Sequence, residues 1–126
     1  MTDSAERDSA PIAPEQLAQR FTTEMLDGCR ILARDFGYRP AYFEKMLQEL
    51  GGVETARRLL SGAHTAGGFT LLWEKGLLGR SSEAVMIRPE YAPLFSDAER
   101  RLARQRLVDH GFDVDAYLRE VQGSTP

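Results

Sequence analysis

Few side chains in this chain are suited to nucleophilic or metal chemistry: two histidines, His64 and His110, and a single cysteine, Cys29. Nucleophilic catalysis requires a nucleophile, a base and an orienting group within hydrogen-bonding reach. No serine here stands in a nucleophile-elbow pattern, and the close Cys and His spacing of a zinc site is missing. We therefore expect no catalytic residue, no metal site and no cofactor, and we expect Cys29 to be a small buried side chain.

The segment from Ser61 to Gly68 combines glycines, hydroxyl groups and His64, as phosphate-binding loops often do. It lacks the Gly-Lys-Ser/Thr ending of a P-loop and follows no predicted strand. Carboxylate pairs such as Glu44 with Glu49 are typical of solvated helix faces, whereas acid–base catalysis requires burial. The sequence therefore predicts a protein that is not an enzyme, with His64 in a surface loop.

Arginines on two predicted helices are candidates for contacts with nucleic acid. The residues are Arg57 and Arg58 on one helix, and Arg100, Arg101 and Arg104 on another. The first pair follows a Gly51-Gly52 turn between two short helices, an arrangement that resembles a helix-turn-helix. However, Leu47 stands where such motifs carry a small residue, and the chain has a net charge of −3. Nucleic-acid binding is therefore the alternative hypothesis.

The first predicted helix begins at Pro14, which is well placed in a first turn because it lacks an N–H group. Its apolar stripe comprises Leu17, Phe21, Met25, Gly28, Leu32 and Phe36. A glycine inside a helix costs about 1 kcal/mol relative to alanine. We therefore expect a second helix to cross this one closely at Gly28.

The residues that begin and end the other predicted elements also indicate helices. Glycines and prolines separate short apolar patterns, and Ser96 to Glu99 form a capping box that opens a further helix. Pro89 and Pro93 allow at most a short helical turn through Tyr91. We predict an all-α single compact domain of six or seven short helices over residues 14–122, with a disordered N-terminal lead-in over 1–13 and a frayed tail over 123–126. The single cysteine and the lack of a membrane-spanning segment favour the cytoplasm.

Surplus aromatic residues and misplaced polar residues indicate where a partner would dock. The candidates are Phe69, Trp73, Tyr91, Arg106 and His110. Of the three aromatics, we expect Tyr91 to contribute least to the core. Helical spacing places Arg106 and His110 on the apolar side of their helix, where Arg106 is expected to extend to solvent or to pair with Glu99.

The pattern of glycine, proline and aromatic residues resembles a group of short bacterial proteins and terminal modules described as hypothetical proteins. The matching residues are Phe36-Gly37-Tyr38, Pro40, Phe43 to Leu47, Gly51-Gly52, Ala56, Leu59-Leu60, Gly68-Phe69 to Trp73-Glu74, Ser82-Glu83-Ala84, Tyr91, Leu94-Phe95, Glu99, Leu107 and Gly111. This group tends to have Asp or Leu where the chain has Gly79-Arg80-Ser81. The resemblance implies an accessory or recognition role, since some of these modules are nuclease-like or defence-associated, and it transfers no catalytic residue. We therefore expect an interaction module that binds another protein, with a nucleic-acid-associated regulator or defence accessory as the alternative.

Overall fold

A computed structural model describes residues 13–62 and 67–123. Its α-helices are α1 (Pro14–Phe36), α2 (Ala41–Leu50), α3 (Gly52–Ser61), α4 (Gly67–Glu74), α5 (Ser82–Met86), α6 (Asp97–Asp109) and α7 (Val114–Gly123). Two 3-10 turns, Leu78–Arg80 and Pro89–Leu94, flank α5. No strand occurs within the described residues, so the all-α prediction is confirmed. The predicted disordered lead-in and frayed tail lie outside the described residues, except that Ala13 precedes α1 and Gly123 ends α7.

Helix α1 is the central element of the core. It ends at Gly37, whose φ of 65° is the left-handed conformation that glycine adopts without strain. Its buried stripe packs against α2, α3 and the second 3-10 turn. Phe21 lies at the centre of this contact, with its ring 5.2 Å from the rings of Tyr91 and Phe95 in edge-to-face geometry. One large aromatic side chain therefore joins α1 to the second 3-10 turn and to Phe95 directly after it.

The close helix crossing on α1 occurs at Gly52, the first residue of α3, and not at Gly28 as we expected. A Cβ atom at Gly52 would lie 2.9 Å from both Phe21 and Thr22. The Gly52 backbone N–H also donates to the Thr22 hydroxyl at 2.8 Å. At Gly28, by contrast, a Cβ atom would meet no heavy atom within 4 Å. The glycine inside the α1 stripe therefore needs another explanation.

Tyr91 is fully buried, which corrects the expectation that it contributes least to the core. Its hydroxyl donates to the Glu24 carboxylate, which also accepts a hydrogen bond from Arg88 at 2.7 Å. Arg88 donates in turn to the Tyr117 hydroxyl at 2.8 Å. Burial raises the pKa of Tyr91 and of Tyr117, and the hydrogen bond with Glu24 raises the Tyr91 pKa further. This chain of contacts ties α1, the second 3-10 turn and α7 together.

Candidate functional site

A cavity of about 320 Å³ opens between α1, the start of α2, the end of α3, α4 and the segment before α5. Its walls are mostly apolar, with Met25 and Leu32 from α1, Phe43 and Met46 from α2, and Leu72 from α4. Leu72 and the α1 residues are also core side chains, so the same hydrophobic contacts that fold the chain shape the cavity. The cavity is therefore formed by helices that also build the core.

Gly28 lies in the wall of this cavity, at the middle of α1. Since no atom stands within 4 Å of its would-be Cβ, the missing side chain leaves open space in the cavity and does not admit a neighbouring helix. Glycine at this position lowers helix stability by about 1 kcal/mol relative to alanine. The fold gains no packing contact in return, but the cavity gains volume.

Cys29 also lines the cavity and is 2% exposed. Burial, and to a lesser extent the negative charge of Glu44, raise the pKa of its thiol to about 11. Because the thiolate is the reactive form of cysteine, this side chain stays protonated and unreactive near neutral pH. Across the described residues, no three His, Cys, Asp or Glu side chains are grouped so that they could hold a metal ion.

An ion pair between Glu83 and Arg106 forms the polar part of the cavity wall. The two side chains are 5% and 14% exposed, and an Arg106 Nη1 lies 2.9 Å from a Glu83 carboxylate oxygen. Arg106 also donates to the carbonyl oxygens of Leu59 and Leu60 near the end of α3. The predicted pairing of Arg106 with Glu99 is therefore wrong, because Glu83 from α5 is the acid that faces it.

The mouth of the cavity carries exposed polar and aromatic side chains. Tyr42 is 76% exposed although it lines the opening. Arg39 is held by a 3.0 Å ion pair with Glu44. The side chain of Arg80 is exposed and makes no hydrogen bond or ion pair with any residue that the structure describes. These three rim residues were absent from the sequence-based candidates. Nothing in the sequence distinguished Tyr42 from the other aromatic residues.

Four of the five predicted partner-binding residues lie together at the junction of α4 and α6. Phe69 is buried and lines the cavity, whereas Trp73 is 48% exposed. Both rings contact His110 edge-on, with centroids 4.9 and 5.3 Å away, and the Trp73 indole donates to the His110 carbonyl. The His110 Nδ1 lies 2.8 Å from the backbone carbonyl oxygen of Arg106. Arg106 also lines the cavity. Tyr91 lies apart from these four, in the core against Phe21 and Glu24 of α1.

Most of the predicted nucleic-acid residues are bound within the chain. Arg57 donates to Glu99 and to the Leu94 carbonyl, Arg58 to Glu54, Arg100 to the carbonyl oxygens of Met86, Ile87 and Arg88, and Arg104 to Asp115. The contacts of Arg57 and Arg100 with carbonyl oxygens lie at the ends of neighbouring helices, whereas Arg58 and Arg104 form exposed ion pairs. Of the five arginines, Arg101 is the one without a hydrogen bond or ion pair to another described residue.

None of the described helices combines the length and the apolarity that crossing a membrane would require. His64 lies outside the described residues. Comparisons with protein-family models, with curated proteins and with solved structures find no match for this chain.

Proposed function

We propose that this chain is a non-enzymatic interaction module that binds another protein by accepting an apolar side chain of that protein into the cavity. The observation that carries the proposal is Gly28. This residue weakens α1 at its centre and enlarges the cavity without serving a helix contact. A cavity that is kept open at a cost in stability is expected to have an occupant.

The size and rim of the cavity favour a protein as that occupant. Its volume of about 320 Å³ lies at the lower end of the range of ligand pockets. One or two side chains of a partner would fill it. Its rim presents Tyr42, Arg39 and Arg80, and tyrosine and arginine are enriched where binding energy is concentrated in protein interfaces. The half-exposed Trp73 extends this surface beside the cavity wall.

The chemistry of the cavity wall gives little support to catalysis. Glu83 is occupied by Arg106, and the Cys29 thiol has a raised pKa. A free thiol in the wall is compatible with a reducing compartment, and a cytoplasmic location is part of the proposal. An accessory role, as in the bacterial modules that the sequence resembles, agrees with binding in the absence of catalysis.

Nucleic-acid binding by the arginine faces is less well supported. Four of the five guanidinium groups already contact carboxylates or carbonyl oxygens of the chain. Phosphate contacts would have to replace those bonds, and the net charge of −3 would oppose the approach of a polyanion.

A pair of variants on α1 tests the proposal. Gly28→Leu places a large side chain in the cavity, whereas Ala33→Leu makes a comparable change on an exposed face of the same helix. Both replace the original residue with a good helix former, so both are expected to fold. In quantitative pull-downs at high salt, proteins captured by the wild type should be lost with Gly28→Leu and kept with Ala33→Leu. Equal capture by both variants would contradict the proposal.

A further inference from the structure

We infer that the segment occupying the cavity carries a carboxylate next to its apolar anchor, so that the partner is recognised through an acidic–apolar sequence. This inference rests on the proposed function and specifies the chemistry of the partner. The apolar anchor would enter between α1 and α4, and the carboxylate would remain at the mouth and accept hydrogen bonds from Arg80.

The charges around the cavity differ in sign from the charge of the whole chain. The charged residues of its lining are three arginines and one glutamate, a net charge of +2, which the Glu44 carboxylate paired with Arg39 reduces to +1, whereas the chain carries −3. Charges of one sign in a cleft with apolar walls concentrate their field and attract the opposite charge. The cavity therefore favours an anionic group, although the net charge of the whole chain is negative.

Arg80 is the arginine that remains available for such a group. Arg106 is bound to Glu83 at 2.9 Å and Arg39 to Glu44 at 3.0 Å. The charge of Arg80 contributes to the lowered pKa of Asp35, but the main cause is the hydrogen bond from Arg34, which lies 2.8 Å from that carboxylate. Asp35, the acid whose pKa Arg80 influences, is thus already paired with another arginine.

The backbone around Arg80 is fixed, although its side chain is exposed. Its N–H donates to the Leu77 carbonyl at 3.0 Å. The next residue, Ser81, caps α5 by accepting the Ala84 N–H at 3.1 Å. A guanidinium on a fixed backbone at the rim can form two parallel hydrogen bonds with a carboxylate. Recognition of phosphate usually employs a cluster of arginines, whereas Arg80 is the single uncommitted one here, and this favours a carboxylate.

The experiment uses a displayed library of random twelve-residue peptides, selected against the wild type with counter-selection against Gly28→Leu. We expect the selected peptides to combine a large apolar residue with Asp or Glu within four positions. Affinities of the synthesised peptides are then measured by fluorescence anisotropy. Arg80→Gln should weaken binding by about threefold to tenfold, the range expected for a charge pair at a rim. Arg101→Gln removes the same charge from an exposed arginine outside the cavity lining and should leave the affinity unchanged.

A double-mutant cycle assigns the effect to one contact. Replacing the acidic residue of the peptide by its amide should weaken binding to the wild type, and the same replacement should have little further effect on Arg80→Gln. Selected peptides without acidic enrichment, or equal affinities for Arg80→Gln and Arg101→Gln, would overturn the inference but leave the cavity as the binding site. Failure to obtain any peptide that discriminates against Gly28→Leu would overturn the inference and the proposed function together.

Discussion

Two threonines near the α1–α3 contact differ in how their hydroxyl groups are satisfied. The Thr22 hydroxyl accepts the Gly52 N–H at 2.8 Å and donates to the Ala18 carbonyl at 3.0 Å. Thr55 is fully buried, and its hydroxyl has no hydrogen-bond partner among the described residues. A buried hydroxyl without a partner loses its hydration and gains nothing in exchange.

This difference predicts opposite effects of the same substitution. Thr55→Val should raise the free energy of unfolding by about 1 kcal/mol, because it replaces an unsatisfied hydroxyl by a methyl group of similar size. Thr22→Val should lower it by about 1 kcal/mol, because the Gly52 N–H would lose its acceptor. Urea denaturation measures both, with an unchanged m-value as the control for two-state unfolding. A loss of stability in Thr55→Val would show that its hydroxyl has a partner.

At the scale of single residues, the sequence predicted whether a side chain is buried better than it predicted which side chains contact it. The helical spacing correctly placed Arg106 on the apolar side of α6, and its side chain is 14% exposed. It did not reveal Glu83, because that acid belongs to another helix and spacing within one helix carries no information about its neighbours. The prolines beside Tyr91 correctly indicated a short helical turn, but they gave no sign that Phe21 and Glu24 would enclose its ring and hydroxyl.

At the scale of helices, the two glycines on and against α1 have different structural roles. Gly52 allows α3 to approach α1 closely, and Gly28 leaves space in a cavity wall. Gly28→Ala should therefore raise the free energy of unfolding by about 1 kcal/mol through helix propensity alone. Gly52→Ala should lower it by about 1–3 kcal/mol, because the added methyl group overpacks the contact with Phe21 and Thr22. Thermal unfolding of the two variants compares them directly, and a destabilised Gly28→Ala would place an unseen packing contact at that position.

The ion pair of Glu83 and Arg106 joins three helices, since Arg106 also binds the carbonyl oxygens of Leu59 and Leu60. Glu83→Gln should lower the free energy of unfolding by about 3 kcal/mol, because it leaves a mostly buried arginine without its counter-ion. Asp115→Asn breaks the exposed ion pair with Arg104 and should cost about 0.5 kcal/mol or less. Chemical denaturation of both variants tests the contrast, and similar losses would show that burial does not distinguish the two pairs.

Helix ends were readable from the sequence, whereas the cavity was not. The capping box at Ser96 and Glu99 is present with both hydrogen bonds, and Pro14 and Gly37 bound α1 as local chemistry requires. Apolar periodicity shows which face of a helix is turned inward, but it does not show whether another helix covers that face. For this reason the sequence predicts a helix crossing at Gly28, although this residue borders open space.

For the whole molecule, the residues that hold the fold are distinct from the residues that are free to bind. Most of the arginines considered for nucleic acid serve as caps or ion pairs, and Tyr91 belongs to the core. The groups left for recognition surround one cavity, namely Tyr42, Arg39 and Arg80 at the rim and the half-exposed Trp73 beside it. Binding is therefore expected at a single face of the molecule.

The methionines provide the most direct test of this claim. Met25 and Met46 line the cavity, whereas Met86 is fully buried in the core outside it. In a spectrum of the chain with ¹³C-labelled methionine methyl groups, a bound partner peptide should shift the Met25 and Met46 signals and leave that of Met86 in place. Tight binding with unchanged Met25 and Met46 signals would contradict the account, because the partner would then occupy another surface.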